Sequence, residues 1–312
     1  MKPTDVYAHI AQNNHKIIGL VLLFPLALAV FLYLFFVLCA CAEEQPFAQA
    51  IQEWNEVFLT LTPLLLLICF VLTLASFAFG DKMMLGFAGA KVCPDDKEHL
   101  QVYRTVENLA LKAGIPTPKV YLIQDDSLNA FATGYAPQNA SVALTTGLVQ
   151  KLEPIELEAV ISHEIGHIIN RDIRLNMFII TGIGVLGILG EILIRSAGRT
   201  RSSSKKGNGA ALFFIIGIAL LLFRYLIAPF IHMALSRSQE FQADATGAYL
   251  TRHPAALAQA LSKIVKDPRV EALDKSSQMA CACICNPLEK IGGLLDTHPP
   301  IEERIKRLQS MM

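Results

Sequence analysis

Residues 163–167 read His-Glu-Ile-Gly-His, inside a run whose composition predicts a helix. On a helix, positions i and i+4 share one face about one turn apart, so the imidazoles of His163 and His167 can reach a single metal ion. Glu164 lies beside them, where a carboxylate can take the proton of a water polarised by that ion. With 8 histidines in 312 residues, chance supplies roughly 0.01 such pentapeptides, so the motif needs support from elsewhere in the chain.

A catalytic zinc site takes three protein ligands and keeps a fourth position for water. A candidate for the third stands in SRSQEFQAD (236–244), where Glu240 and Asp244 are four apart and share a helical face. The spacing allows a division of labour in which Glu240 ligates and Asp244 accepts a hydrogen bond from a ligand imidazole, fixing its tautomer. The plainer reading is a solvated acidic face beside a basic stretch. His9, His15, His99, His232 and His253 have no ligand-like spacing and read as incidental.

These residues must be positioned by a chain that is 53% hydrophobic and carries 27 basic against 27 acidic residues. Zero net charge argues against a nucleic-acid partner, which favours a basic face. Residues 17–42 and 57–80 hold no charge, and each exceeds the ~20 apolar residues that span a bilayer core. The first is too long for the ~7–15-residue apolar stretch of a cleaved signal peptide and reads as an anchor. Two weaker runs follow, 175–190 continuing to 194, and 210–235 broken only by Arg224. They either cross the membrane or re-enter it, with Glu191 and Arg224 pairing or reaching for an interface.

The loop between the first two spans carries Glu43, Glu44, Glu53 and Glu56 and no Lys or Arg, whereas Lys2, Lys16, Lys82 and Lys91 lie outside them. The bias places the N-terminus and the segment after residue 81 in the cytoplasm. The linker 194–209, with Arg195, Arg199, Arg201, Lys205 and Lys206, should also be cytoplasmic by this rule, yet a single outward crossing would place it outside. Either way an even number of passages returns Glu240 to the side of His163. Within 81–174, residues 95–113 read as an amphipathic helix stopped by Gly114, 119–123 as a short strand, and 129–134 with 140–145 as a hairpin. Pro154 suits the start of the helix carrying the histidines. Of seven cysteines, Cys39, Cys41 and Cys69 lie in spans. Cys281, Cys283 and Cys285 alternate without a CxxC pair, which favours packing over a metal knuckle.

Four segments in this order, NAFATG (129–134), SHEIGH (162–167), SRSQEFQADA (236–245) and THPPIEER (297–304), resemble the membrane-embedded zinc metalloproteases of the M48 family. The resemblance covers nearly the whole chain. It implies an α+β, predominantly α-helical integral membrane protein, with a zincin-like (gluzincin) catalytic domain, a small β-sheet and about four membrane-embedded helices. It implies one Zn2+ bound by His163, His167 and Glu240, Glu164 as general base, and 129–134 as an edge strand for an extended substrate, met by Asn129, Ala130 and Phe131. His298 either stabilises the oxyanion or belongs to a stretch that caps the last helix, whose Arg304, Lys306 and Arg307 read as a solvated face.

The expected organisation is an anchor of two spans (1–80), a cytoplasmic first protease part (81–174), two spanning or re-entrant segments (175–235) and a second protease part (236–312). The implied partners are polypeptide substrates, a lipid bilayer and, as further candidates, a second copy of the chain or other membrane quality-control proteases. The expected activity is endopeptidase cleavage of misfolded membrane proteins at the cytoplasmic face of a bacterial inner membrane. Two rivals stand beside it. A prenyl-peptide processing protease would need more spans to enclose a chamber, and a silent zinc-holding scaffold would have no use for Glu164.

Overall fold

The computed structural model describes residues 3–94, 96–97, 99–201, 209–234, 237–266 and 299–312. The four apolar runs all become helices: α1 (Pro3–Cys41), α2 (Phe47–Phe87), α6 (Asp172–Arg201) and α7 (Gly209–Ala234). Each contains a stretch long and apolar enough to cross a bilayer, namely Ile10–Cys41, Phe47–Leu72, Asp172–Gly198 and Ala210–Ile227. The helices overrun the apolar runs because backbone hydrogen bonding continues into polar flanks. The protein is therefore an α+β membrane protein, predominantly helical, with one small mixed sheet.

The chain forms two compact units, and α1, α2, α6 and α7 each pass from one to the other. The helical unit takes residues 15–76 and 181–230. Its core gathers Leu32, Phe36, Leu65, Leu186, Leu220 and Phe223, with Phe36 stacked on Trp54 at 5.3 Å between ring centres. Leu22, Leu34, Leu59 and Leu67 stay exposed, an apolar surface suited to lipid rather than water. Glu191 pairs with Arg195 at 3.1 Å rather than with Arg224. A partner one turn away on the same helix is already within reach, while Arg224 lies against Gly187.

The second unit takes residues 1–14, 77–180 and 231–312. Its sheet comprises β1 (Lys91–Val92), β2 (Lys119–Ile123), β3 (Ala130–Thr133) and β4 (Ser141–Thr145), in the order β1-β2-β4-β3. Strands β3 and β4 form the expected hairpin, antiparallel with Ala130 opposite Leu144, and are joined by a 3-10 turn at Pro137–Asn139. Strand β2 runs parallel to β4 with Lys119 opposite Ser141. The amphipathic helix α3 (Leu100–Ala113) begins later than expected, beyond Asp96, whose carboxylate accepts from the His99 amide. It ends at Gly114, whose left-handed backbone (φ 67°) suits a residue without Cβ.

Short α4 (Thr146–Lys151) leads to α5 (Pro154–Ile169), with Pro154 in its first turn and Glu156 accepting from the Glu153 amide. Helix α5 is buried almost all round, sharing a core with the sheet through Val142, Leu144, Val160, Ile161 and Ile165. Helices α8 (Arg237–Thr251), α9 (Pro254–Ile264) and α10 (Ile301–Gln309) complete the unit.

Helices α5 and α8 approach each other closely. A Cβ on Gly166 would stand 3.1 Å from the Ala243 carbonyl oxygen, and one on Gly247 would stand 3.0 Å from the His163 amide nitrogen. Ser162 Oγ stands 2.7 Å from the Ala159 carbonyl oxygen and 3.2 Å from that of Gly247, so its single proton is shared between α5 and α8 where the glycines let them meet. Gly247→Leu should therefore force α8 off α5. Its melting temperature in detergent is expected to fall by the equivalent of at least 1–3 kcal/mol, the order of the cost of overpacking. Gly86→Leu, at a helical glycine with open space around its missing Cβ, should melt like the parent.

Candidate metal centre

Helix α5 presents His163 and His167 one turn apart, with Nε2 atoms 3.1 Å from each other. Helix α8 crosses them and brings Glu240, whose Oε2 lies 3.7 Å from His163 Nε2 and whose Oε1 lies 3.6 Å from His167 Nε2. Ligands about 2.0–2.1 Å from a tetrahedral zinc sit roughly 3.3 Å apart, and the three separations bracket that value. Among the described residues, these three form the group of His, Cys, Asp and Glu side chains disposed to hold a metal ion.

The protonation pattern set by the neighbours fits a cation as well. His163 Nδ1 stands 2.9 Å from Asp244 Oδ1, and His167 Nδ1 stands 2.9 Å from Asp172 Oδ2. Each imidazole that donates from Nδ1 to a carboxylate leaves its Nε2 lone pair facing the other. Two lone pairs 3.1 Å apart repel unless a proton or metal ion lies between them. Glu164 is fully buried beside them, and its Oε1 has no hydrogen-bond partner among the described residues.

The electrostatics follow from this crowding in a dry place. Burial pushes the Glu164 carboxyl above the usual carboxylate range, and Glu240 adds to the rise, while His163, His167 and Arg304 oppose it. Burial works against charging His167, but the Asp172 hydrogen bond and the carboxylates of Glu240, Asp172 and Glu164 outweigh it and raise the imidazole to about 9. Burial alone would raise Asp244 too; Arg304 and His163 instead hold it below its ordinary range.

Arg304 is a correction to the sequence reading. It is 0% exposed, and its guanidinium grips Asp244 through two hydrogen bonds, Nε to Oδ2 at 2.9 Å and Nη2 to Oδ1 at 2.8 Å. Its Nη1 also lies 3.0 Å from Glu240 Oε2. Of the three cations expected on the solvated face, Lys306 and Arg307 are the exposed ones. The signal was in the helical period: Ile301, Ile305 and Leu308 mark the buried face of α10, and Arg304 falls on it. No sequence period marks Asp172, which follows the turn after α5, where Arg171 adopts a positive φ of 62°.

Of the remaining expected residues, Ala130 and Phe131 sit on β3, the edge strand with β4 on one side. Asn129 precedes it, its amide donating to Thr145 Oγ1 at 3.1 Å and its side-chain oxygen accepting from the Ala130 amide. All four β3 residues are buried. Phe131 clusters with Met84, Leu85, Ala88 and Met177. His298 and Cys281, Cys283 and Cys285 lie outside the described residues.

The family model described as Peptidase family M48 matches residues 96–312. The chain belongs to peptidase family M48. It is 35% identical to a protease HtpX homolog of Bacteroides fragilis, over 99% of both chains. It is 41% identical to one of Thermoanaerobacter pseudethanolicus, over 80% of this chain and 85% of that one. The crystal structure of S. mikatae Ste24p resembles it with a TM-score of 0.46 and 20% identity, covering 98% of this chain and 67% of the other. By its family and its HtpX relatives this M48 protein is a membrane metalloprotease of the HtpX type, with four helices long and apolar enough to cross a bilayer.

In this M48 protease, removing Arg304 would take the guanidinium away from two buried carboxylates. Arg304→Met is expected to cost about 3–5 kcal/mol, the usual penalty for breaking a buried ion pair, read as a lowered denaturation midpoint in detergent. Arg195→Met, which breaks the exposed pair with Glu191, should cost no more than about 1 kcal/mol.

Proposed function

We propose that the protein is a zinc-dependent endopeptidase that cleaves misfolded or damaged membrane proteins at the cytoplasmic face of the membrane. In this reading His163, His167 and Glu240 hold one zinc ion, Glu164 is the catalytic base, and Asp244 and Asp172 orient the two imidazoles. The observation that carries it is the convergence of three ligand atoms, from helices far apart in sequence, beside a buried glutamate with an unpartnered oxygen. When bound, zinc supplies Lewis acidity, polarising the scissile carbonyl and bringing the pKa of a water to about 7.

The chain's own residues then divide the work. Asp244 and Asp172 hold His163 and His167 in the tautomer that turns Nε2 inward. Glu164 takes the proton of the attacking water and passes it to the leaving amine. A buried carboxylate with a raised proton affinity suits that relay, since it must carry the proton between two steps. An extended peptide pairs with the β3 edge through backbone hydrogen bonds, which give affinity without sequence selectivity. Asn129, Ala130 and Phe131 line its path. Because β3 is buried, pairing requires the side chains around Phe131 and Met177 to give way. The family resemblance offers His298 as an oxyanion stabiliser, the alternative being a stretch that caps the last helix.

The cytoplasmic orientation rests on the acidic first loop flanked by Lys2, Lys16, Lys82 and Lys91. Quality control as the biological role rests on the family resemblance of the four motifs. The proposed domain division keeps 1–80 as anchor, 81–174 and 236–312 as the two protease parts, and 175–235 as spanning or re-entrant.

Two variants and one treatment test this reading. Glu164→Gln should retain stoichiometric zinc yet lower hydrolysis of an unfolded protein such as casein by about 10²–10⁴-fold, the range of general acid–base catalysis. Glu240→Ala should lower zinc content, measured by elemental analysis. A chelator should abolish hydrolysis by the parent and added zinc restore it. An active Glu164→Gln enzyme would refute the base assignment, and unchanged zinc in Glu240→Ala would require another third ligand.

A further inference from the structure

The polar end of the first helix is built into the metal centre. Asn13, on α1, is 1% exposed. Its Nδ2 donates to Asp172 Oδ1 at 2.8 Å and to the Asn170 carbonyl at 3.3 Å, and its Oδ1 accepts from Gln239 Nε2 at 3.1 Å. The other oxygen of the Asp172 carboxylate is the one that holds His167. Gln239, itself buried, immediately precedes Glu240. One amide thus braces the carboxylate behind one candidate ligand and the backbone neighbourhood of another.

We propose that Asn13 is a positioning residue of the metal centre. Through Asp172 it fixes the His167 ring, and through Gln239 it couples that ring to the helix bearing Glu240. The inference rests on His163, His167 and Glu240 being the metal ligands.

Three features of the site argue for it. Asparagine is a poor residue for a helix interior and a costly one to bury, so its place here is set by what it bonds. The amide is matched to its neighbours, since its donor meets a carboxylate and a carbonyl while its acceptor meets a donor. A carboxylate oriented from both sides has one position for its lone pairs, and the ring it holds has one direction for Nε2. Leucine at 13 would keep the bulk but leave Asp172 Oδ1 and Gln239 Nε2 buried without this partner.

The test measures zinc affinity by chelator competition on the full chain in detergent, alongside the melting temperature of the metal-free protein. N13L and N13D are each expected to weaken zinc binding by about 10-fold or more, the usual effect of losing a residue behind a ligand. In the double variant N13D/D172N the donor and acceptor exchange sides. Asn at 172 still accepts from His167 and donates to the new carboxylate, so affinity should recover part of what N13D loses, short of the parent because the carboxylate behind His167 is gone. H167A serves as the reference and should lose zinc.

Unchanged affinity in N13D with a lowered melting temperature would reduce Asn13 to a structural residue and overturn the proposal. So would a double variant no better than N13D. Zinc retained by H167A would instead overturn the ligand reading beneath it. If N13L does not fold, N13D and N13D/D172N decide the matter, since they place the same carboxylate at residue 13 and differ only at residue 172.

Discussion

Everything at the centre of this protein depends on how closely α5 and α8 approach. The histidines and Glu240 belong to segments separated by two long apolar helices, and no local preference brings them together. The absence of side chains at Gly166 and Gly247 does so, because a Cβ at either would meet the opposing backbone or side chain at about 3 Å. With the helix axes this near, the side chains projecting toward one another enclose a space of roughly the dimensions of a tetrahedral zinc site. The glycine inside the His-Glu-Ile-Gly-His run therefore has a packing role as specific as the chemical roles around it.

That approach creates an electrostatic difficulty that the remaining elements resolve. Glu164, Asp172, Glu240 and Asp244 are all buried within one helical bundle, and desolvated carboxylates repel one another strongly. Arg304 offsets part of this charge by reaching both Asp244 and Glu240. A divalent cation would offset more. The arrangement gives α10 a purpose beyond covering the core: it carries the fixed positive charge that lets two carboxylates stand behind and beside the histidines. Asp172 and Asn13 extend the same logic outward, since the carboxylate that holds the His167 ring is itself held by the Asn13 amide.

The membrane helices have a second role in this scheme. Helix α6 begins at Asp172, so a helix that goes on as a candidate span starts on the residue behind His167. Helix α1 carries Asn13 before its apolar stretch takes over. Asn13, Asp172 and Gln239, which are linked by hydrogen bonds, thus lie on or beside the ends of helices that lead to or from apolar stretches.

By itself the sequence determined what depends on local pattern. Residues 17–42 and 57–80 announce helices through length and absence of charge, the 129–145 hairpin through alternation and turn residues, and His163 with His167 through a four-residue period. The four motifs in order also determined the family. Only the tertiary structure decided what depends on opposing surfaces. Arg304 looked like one of three solvated cations until α10 packed against α8 and turned it inward. Asp172 follows a break in the helix, so no period relates it to His167. Asn13 is joined to its partners only by folding. The physical reason is common to all three: a local period specifies which face a side chain occupies, whereas the charge or donor it meets is supplied by another part of the chain.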